Sequence, residues 1–226
     1  MKIISISGFQ GYIDWTRVRD ADAAVVRFSH GGDNDCCIGI SPETEELAER
    51  NLRGAYCARI ACGVSHRLGA VTASEVRAEA AWLIAALKVY RPYLTLPIVA
   101  ISLGDDGISP KYRSFSPSHN AALVKLFCTA LTRAGYTPIL CADRETLDDY
   151  LDRRKLGRVG IWYQRPFVSE AQAQAEEPDM LFWQYSAETS PKNAGISADY
   201  PVSRTENFFF EPPAPRIRRS TCRMYA

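Results

Sequence analysis

The sequence predicts an α/β fold: an irregular TIM-like (β/α) barrel of about five βα units followed by three strands. Short β-rich apolar runs alternate with amphipathic helical patterns, which is typical of a parallel sheet. About eight such runs can be found, and eight strands favour closure into a barrel. The helical signal fades after Arg154, where the strand-like runs follow one another more closely. The last part of the barrel should therefore consist mainly of strands.

The predicted strands are mostly continuous apolar runs, as expected for strands covered on both faces. They span residues 2–7, 23–28, 54–60, 97–103, 137–142, 159–163 and 180–185, with a weaker one around 198–202.

Helix-start signals lie between these runs. Thr72 and Glu75 have capping-box spacing ahead of an apolar helical face. Ser116 followed by a proline reads as an N-cap and first helical position, and Asp143 can cap a further helix. Another helix is predicted over residues 42–51.

Composition fits one globular domain. The chain has 226 residues, 46% of them hydrophobic, and a formal net charge of +1. That balance predicts neither a nucleic-acid partner nor membrane insertion. The first seven residues are too short an apolar run for a signal-peptide core. We therefore expect cytoplasmic synthesis without a classical signal peptide, and association with a virion or release to the cell envelope if the protein acts outside.

The barrel domain is predicted over residues 1–210, followed by a C-terminal tail over 211–226. The tail begins with the proline-rich run EPPAP, a stiff spacer, and continues into the basic run RIRR. This tail is either a solvated terminus or a docking arm for an acidic partner.

Cysteines and histidines give no sign of a cofactor. The seven cysteines form no CxxC pair, and Cys57, Cys128 and Cys141 lie in apolar segments, where buried free thiols are expected. The three histidines lack metal-ligand spacing, and no phosphate-binding glycine loop is present. The sequence therefore predicts no metal and no cofactor.

Several segments in order resemble one known family. Residues 4–15 read ISISGFQGYIDW, similar to a family start of the form IDVSxxQGxIDW. Later matches are VVR at 25–27, NLRGAY at 51–56, LPIV at 96–99, AGYTP at 134–138, IWYQ at 161–164, FWQY at 182–185, and GIS at 195–197 with Asp199. Together, from about residue 3 to 203, they resemble the glycoside hydrolase family 25 lysozymes, the Chalaropsis type.

The resemblance implies cleavage of the β-1,4 bond of peptidoglycan after N-acetylmuramic acid. In that family one acid lies in the first strand, a D-x-E pair ends the fourth, and one acid lies in the last. Aligned on the proline of the fourth strand, these positions become Ser5, Ile101 and Leu103, and only Asp199 persists. Because losing one general acid costs about 10²–10⁴-fold in rate, the resemblance leaves enzyme activity uncertain and favours an inactive barrel.

Two carboxylates offer an alternative. Asp105 and Asp106 follow the fourth strand, and Asp105 keeps the parity of Ile101 and Leu103. A continued strand would carry Asp105 about 6–7 Å further along the barrel axis, and Gly104 or a bulge could re-aim it. The other interpretation is a plain Gly-Asp-Asp-Gly turn.

A set of aromatic and amide side chains is implied to line the barrel mouth and bind glycan. They are Tyr56, Trp162, Trp183, Gln184 and Tyr185, with His30 just beyond the second strand. Aromatic faces suit sugar rings, although Trp and Tyr in barrel strands are equally typical of a core.

Three functions remain open from the sequence. The first is an inactive lysozyme-like barrel that serves as a glycan-binding or structural module of a phage particle or cell-envelope assembly. The second is an active muramidase whose acid pair comes from Asp199, Asp105 and Asp106. The third is a protein-interaction module in which Ile101 and Leu103 make the former active site apolar.

Overall fold

The computed structural model describes residues 1–19, 21–31, 42–105, 107–189 and 202–207, without the side chains of 42–46, 187–189 and 202–207. Within these ranges the strands form a closed barrel in chain order. The strands are β1 (Lys2–Ile6), β2 (Ala23–His30), β3 (Ala61–Arg67), β4 (Ile98–Ser102), β5 (Thr137–Ala142), β6 (Gly160–Gln164), β7 (Met180–Thr189) and β8 (Val202–Asn207). Neighbours from β1 to β7 are parallel, and β8 closes the barrel antiparallel to both β7 and β1. The predicted irregular α/β barrel is confirmed.

Helices connect most of the strands on the outside of the barrel. They are α1 (Pro42–Cys57), α2 (Ala73–Tyr90), α3 (Pro110–Arg113), α4 (Pro117–Arg133), α5 (Arg144–Asp149), α6 (Arg153–Leu156) and α7 (Glu170–Glu176). The predicted starts are confirmed: the Thr72–Glu75 capping box opens α2, Ser116 caps α4, and Asp143 caps α5. The helices beyond Arg153 are short, in agreement with the fading helical signal.

Strand alternation divides the core into two layers. Ile3, Val25, Ala100, Ile139 and other residues of like parity pack together inside the barrel. The alternate residues of the same strands pack against the helices in the larger core. A parity error of one residue therefore moves a side chain from the barrel interior to the helix layer.

Two of the predicted strands were misplaced. Residues 54–57 belong to α1, and the third strand is Ala61–Arg67. Gly54 is helical and lies under Trp15, whose ring a Cβ at that position would overlap. The last strand runs over Val202–Asn207, later than the predicted 198–202, and residues 198–201 lie outside the described residues.

Candidate functional site

The candidate site lies at the carboxyl ends of the parallel strands, the face where α/β barrels carry their active sites. The inward positions near this mouth are mainly polar. In the described strands they are Ser5, Arg27, His30, Ser65, Arg67, Ser102, Cys141, Gln164 and Gln184. None of them is a carboxylate.

The residues that the proline-based alignment assigns to the acid pair do not face the barrel interior. Ile101 and Leu103 are buried in the helix-facing core. The inward residues are Ala100, which pairs with Ser65, and Ser102, which pairs with Arg67. Neither can donate a proton to a leaving group near neutral pH.

Ser5 lies on the inner face of β1. Ser5 has the parity of the interior residue Ile3 and pairs with the interior residue Val25. The inward residues of β1 and β4 near the mouth, Ser5, Ala100 and Ser102, therefore include no carboxylate. Asp199 and Asp106 lie outside the described residues.

Asp105 projects over the mouth and is held by two arginines. Its carboxylate forms ion pairs with Arg27 of β2 and with Arg67 of β3, where the Nη1–Oδ2 distance is 3.1 Å. Gly104 makes this turn possible, because a Cβ there would collide with the carbonyl oxygen of Gly107. Two guanidinium groups favour the charged carboxylate, whereas a general acid must carry a proton.

The predicted aromatic residues are dispersed. Trp162 is fully buried inside the barrel against Phe182. Trp183 and Tyr185 have the opposite parity and pack in the helix-facing layer, where the Trp183 indole donates to the Arg165 carbonyl at 2.9 Å. These two residues are therefore part of the core and do not line the mouth.

Tyr56 is also misplaced, because it belongs to α1 and its buried ring packs edge-on against Tyr93. By contrast, Gln184 faces inward and accepts a hydrogen bond from Gln164 at 3.3 Å. His30, half-buried at the end of β2, lies with its Nδ1 atom 3.2 Å from the Gly31 carbonyl oxygen.

An open cleft of about 650 Å³ lies beside the mouth, between the ends of β5 and β6. It is lined by Asp143, Arg144, Glu145, Asp148, Asp149, Gln164, Arg165, Pro166 and Phe167. Phe167 is 76% exposed and has a positive φ of 67°. An exposed aromatic in this backbone region is uncommon, and such outliers gather at functional sites.

The segment that leads into Phe167 is anchored to α7. Arg165 donates to Glu176 of α7 at 2.8 Å, and the Tyr163 hydroxyl donates to the same carboxylate at 2.8 Å. The hydrogen bonds from Arg165 and then Tyr163 lower the pKa of Glu176 to about 2. Phe167 is thus displayed by an anchored loop, and its position is a feature that sequence reasoning missed.

The described thiols form no disulfide, and burial makes three of them, Cys62, Cys128 and Cys141, unreactive. Burial raises the pKa of Cys128 and of Cys141 to about 12. Cys141 faces the barrel interior beside Trp162, and at neutral pH it is a thiol and not a nucleophilic thiolate. Cys36, Cys37 and Cys222 lie outside the described residues.

A second polar cluster lies behind the mouth. A bulge in β2 turns Ser29 to the helix side, where its hydroxyl lies 2.8 Å from His66 Nδ1. His66 Nε2 lies 2.7 Å from Glu79, which also accepts from the backbone N–H groups of Gly69 and Ala70. Ser29, His66 and Glu79 are buried, so this Ser–His–Glu chain has no access to a substrate.

Sequence reasoning missed Arg27 and Arg67 as site residues. For Arg27 the available signal was its position at the end of an apolar strand with the parity of the interior residues, whereas the strand that carries Arg67 was not predicted. Among the described residues there is no group of three or more potential metal ligands. No helix in the described part of the chain is long and apolar enough to cross a membrane.

Eight strands around a core, with a polar mouth at their carboxyl ends, define a lysozyme-like α/β barrel. Solved structures of other proteins have the same fold. The chain has the fold of the glycoside hydrolase family 25 lysozymes, at identities too low to show more than the fold. No protein-family model matches the chain, and no curated protein sequence matches it.

Three of the similar structures illustrate the likeness. The modular autolysin LytC of Streptococcus pneumoniae, in complex with a synthetic peptidoglycan ligand, has 22% identity and a TM-score of 0.69 over 91% of this chain and 46% of that one. The catalytic domain of a Listeria monocytogenes bacteriophage endolysin has 16% identity and a TM-score of 0.67, covering 92% and 93%. A glycosyl hydrolase 25 of Streptococcus pneumoniae has 13% identity and a TM-score of 0.65, covering 92% and 86%. The chain spans less than half the length of the autolysin.

Proposed function

We propose that this barrel binds peptidoglycan or a related glycan without cleaving it. The observation that carries the proposal is the composition of the mouth, where the described inward residues of β1 and β4, Ser5, Ala100 and Ser102, include no carboxylate. Hydrolysis of a glycosidic bond requires an acid for the leaving oxygen and a second carboxylate for the oxocarbenium-like centre. A mouth whose described inward positions hold no carboxylate retains a surface for sugar but has no proton donor among those positions.

Glycan binding is supported by the cleft beside the mouth. Phe167 offers an exposed apolar ring, and Gln164 and Arg165 offer amide and guanidinium donors in the same cleft. Sugar rings present apolar C–H faces and hydroxyl edges that match such a surface. The similar autolysin and a similar endolysin were solved with peptidoglycan-type ligands.

The active alternative has weaker support. Asp105 is the described carboxylate nearest the former acid positions along the chain, and its ion pairs with Arg27 and Arg67 favour the ionised form. Such a group can stabilise positive charge but is a poor proton donor. The active alternative therefore depends on Asp106 and Asp199, which lie outside the described residues.

The protein-interaction alternative loses its stated basis. It required Ile101 and Leu103 to make the mouth apolar, and both pack in the helix layer. We retain a glycan-binding or structural role within a phage particle or cell-envelope assembly as part of the proposal. The likeness to a phage endolysin supports this setting.

The test combines cleavage with binding. Reducing-sugar release from purified peptidoglycan is measured for the parent, Asp105→Asn and Asp199→Asn, and cosedimentation with the same insoluble peptidoglycan is measured in parallel. We expect no release above a heat-killed control and clear cosedimentation of the parent. Release that disappears in either variant would identify a rebuilt acid pair and overturn the proposal. Absence of both release and cosedimentation would overturn glycan binding.

A further inference from the structure

We infer that Arg27 and Arg67 form a carboxylate-binding site at the barrel mouth, and that Asp105 occupies it as an internal ligand that an incoming carboxylate displaces. The inference deepens the proposed function, since it takes the mouth as the binding face and names the ligand class as a carboxylate-bearing glycan. The guanidinium groups come from adjacent strands and converge on one carboxylate.

The two arginines are placed by strand geometry. Arg27 pairs with Ser65, two residues before Arg67 on the neighbouring strand, so both side chains leave the sheet on its inner face. Their side chains are 23% and 15% exposed, which leaves them reachable at the mouth but mostly shielded from water. Ion pairs in such surroundings are less screened than those on an open surface.

Arginine is the side chain suited to this task. Its planar guanidinium presents a fork of donors that matches both carboxylate oxygens, and it stays charged at every physiological pH. Each oxygen of Asp105 meets a different arginine, Oδ1 with Arg27 and Oδ2 with Arg67. A free carboxylate could reproduce this two-point contact.

Contacts between the segments that follow β2 and β3 fix the spacing of the two arginines. Gly31 and Gly69 follow β2 and β3 in backbone contact too close for a Cβ on either, and the Gly31 N–H donates to the Arg67 carbonyl at 2.8 Å. Glu79 accepts from His66 and from the Gly69 N–H. The site is therefore pre-organised, and binding costs little rearrangement of the arginines.

Asp105 is suited to leave. It lies on a turn beyond the end of β4 and its side chain is 48% exposed, much more than the arginines that it meets. If it occupies the site for most of the time, the apparent affinity for an outside carboxylate is reduced by the fraction of molecules in which the site is free. Removing the Asp105 charge should raise that affinity.

The experiment uses a matched pair of sugars in ligand-observed NMR titrations of the full chain. N-acetylmuramic acid carries a lactyl carboxylate, and N-acetylglucosamine has the same ring without it. We expect Asp105→Asn to bind N-acetylmuramic acid about tenfold more tightly than the parent, with unchanged binding of N-acetylglucosamine. Asp179→Asn, an exposed acidic residue before β7, makes the same charge change and should leave both affinities unchanged.

Variants of the arginines complete the test. In the Asp105→Asn background, Arg67→Lys keeps the charge but loses the fork, and Arg67→Gln loses both, so affinity for N-acetylmuramic acid should fall in that order. Thermal unfolding of each variant checks that it is folded. Equal affinity of parent and Asp105→Asn for N-acetylmuramic acid, no binding up to its solubility limit, or tighter binding of inorganic phosphate would each overturn the inference.

The outcomes separate this inference from the proposed function. If the arginine variants cosediment with peptidoglycan as the parent does, the carboxylate site fails while glycan binding stands. If the monosaccharide arm succeeds and the parent does not cosediment with peptidoglycan, the carboxylate site stands and peptidoglycan is the wrong ligand.

Discussion

Two polar clusters lie side by side along β2 and β3, and they meet opposite surroundings. Ser29, His66 and Glu79 form a hydrogen-bonded chain that is buried between the sheet and α2. Arg27, Arg67 and Asp105 form an ion-pair cluster at the open end of the barrel. His66 and Arg67 are consecutive residues, yet strand alternation sends one into the core and the other to the mouth.

The two clusters show that triad-like residue types are not enough for a functional site, because a substrate must also reach them. The buried chain has the residue types of a nucleophilic triad, but its Ser29 hydroxyl is fully buried and its glutamate is engaged by two backbone N–H groups. Its role is to hold the ends of β2 and β3 together. The mouth cluster does not have the residue types of a catalytic triad, but a ligand can reach it. Solvent exposure and the face of the strand from which a side chain projects, more than residue type, decide which cluster can bind a ligand.

The largest effect should come from placing a carboxylate at two consecutive positions at the end of β4, one facing the barrel interior and one facing the helices. Leu103→Glu puts a charge into the helix-facing core and should cost about 4–5 kcal/mol or unfold the protein. Ser102→Glu, on the inner face beside Arg67, should cost less than about 1 kcal/mol. Urea unfolding of both variants measures the difference. Equal costs would mean that the register of β4 described above is wrong.

Breaking the buried Ser29–His66–Glu79 chain should also destabilise the fold strongly. Glu79→Ala removes the acceptor of His66 and of two backbone N–H groups, and should destabilise the fold by about 3 kcal/mol or more. Glu75→Ala is the matched control, because that carboxylate also accepts from two backbone N–H groups of the α2 start but lies nearer to solvent. It should cost about 0.5–2 kcal/mol. A cost for Glu79→Ala no greater than the control would remove the structural role of the chain.

Phe167 allows stability and binding to be separated. Phe167→Gly relieves a positive φ and should stabilise the loop by about 1 kcal/mol, while peptidoglycan cosedimentation falls because the ring is lost. Arg59→Gly relieves a similar φ of 63° just before β3, away from the mouth, and should stabilise without changing cosedimentation. Unaltered cosedimentation of Phe167→Gly would exclude the ring from the binding surface.

The smallest effect concerns pH. The pKa of Glu176 is lowered from its usual 4.5 to about 2 in the folded chain, so its contribution to stability is complete above about pH 4.5 and is lost as the pH falls toward 2. The melting temperature of the parent should therefore exceed that of Glu176→Gln at pH 7, and the gap should narrow at pH 3. Glu170→Gln on the same helix controls for the change in net charge. A gap that is constant with pH would contradict the assigned cause.

Much of the barrel could be predicted from the sequence because its signals are local. Capping residues and apolar runs placed α2, α4, α5 and most strands correctly. The third strand was missed because ACGVSHR lacks an apolar run: its last three residues serve the mouth and the buried chain. Gly54 was predicted to start a strand, whereas it lies in α1, where Trp15 packs against it.

The site was harder to predict for a specific reason. All the residues from Ile98 to Ile101 are apolar, so alternation could not fix which of them face the barrel interior. The proline-based alignment assigned the acid pair to residues that face the helices. In β7 a usable signal existed: Gln184 alternates with Trp183 and Tyr185, so all three could not line the mouth. The Arg27–Asp105–Arg67 contact joins three separate segments and had no local signature.

Closure of the barrel by β8 has a consequence for how the protein is made. β1 pairs with a strand about 200 residues later, so during synthesis on the ribosome both β1 and β7 keep an unpaired edge until the last strand emerges. Contacts between distant parts of a chain form slowly, and exposed strand edges invite pairing with other chains. The yield of soluble protein should therefore depend on chaperones that shield these edges, more than on the stability of the finished barrel.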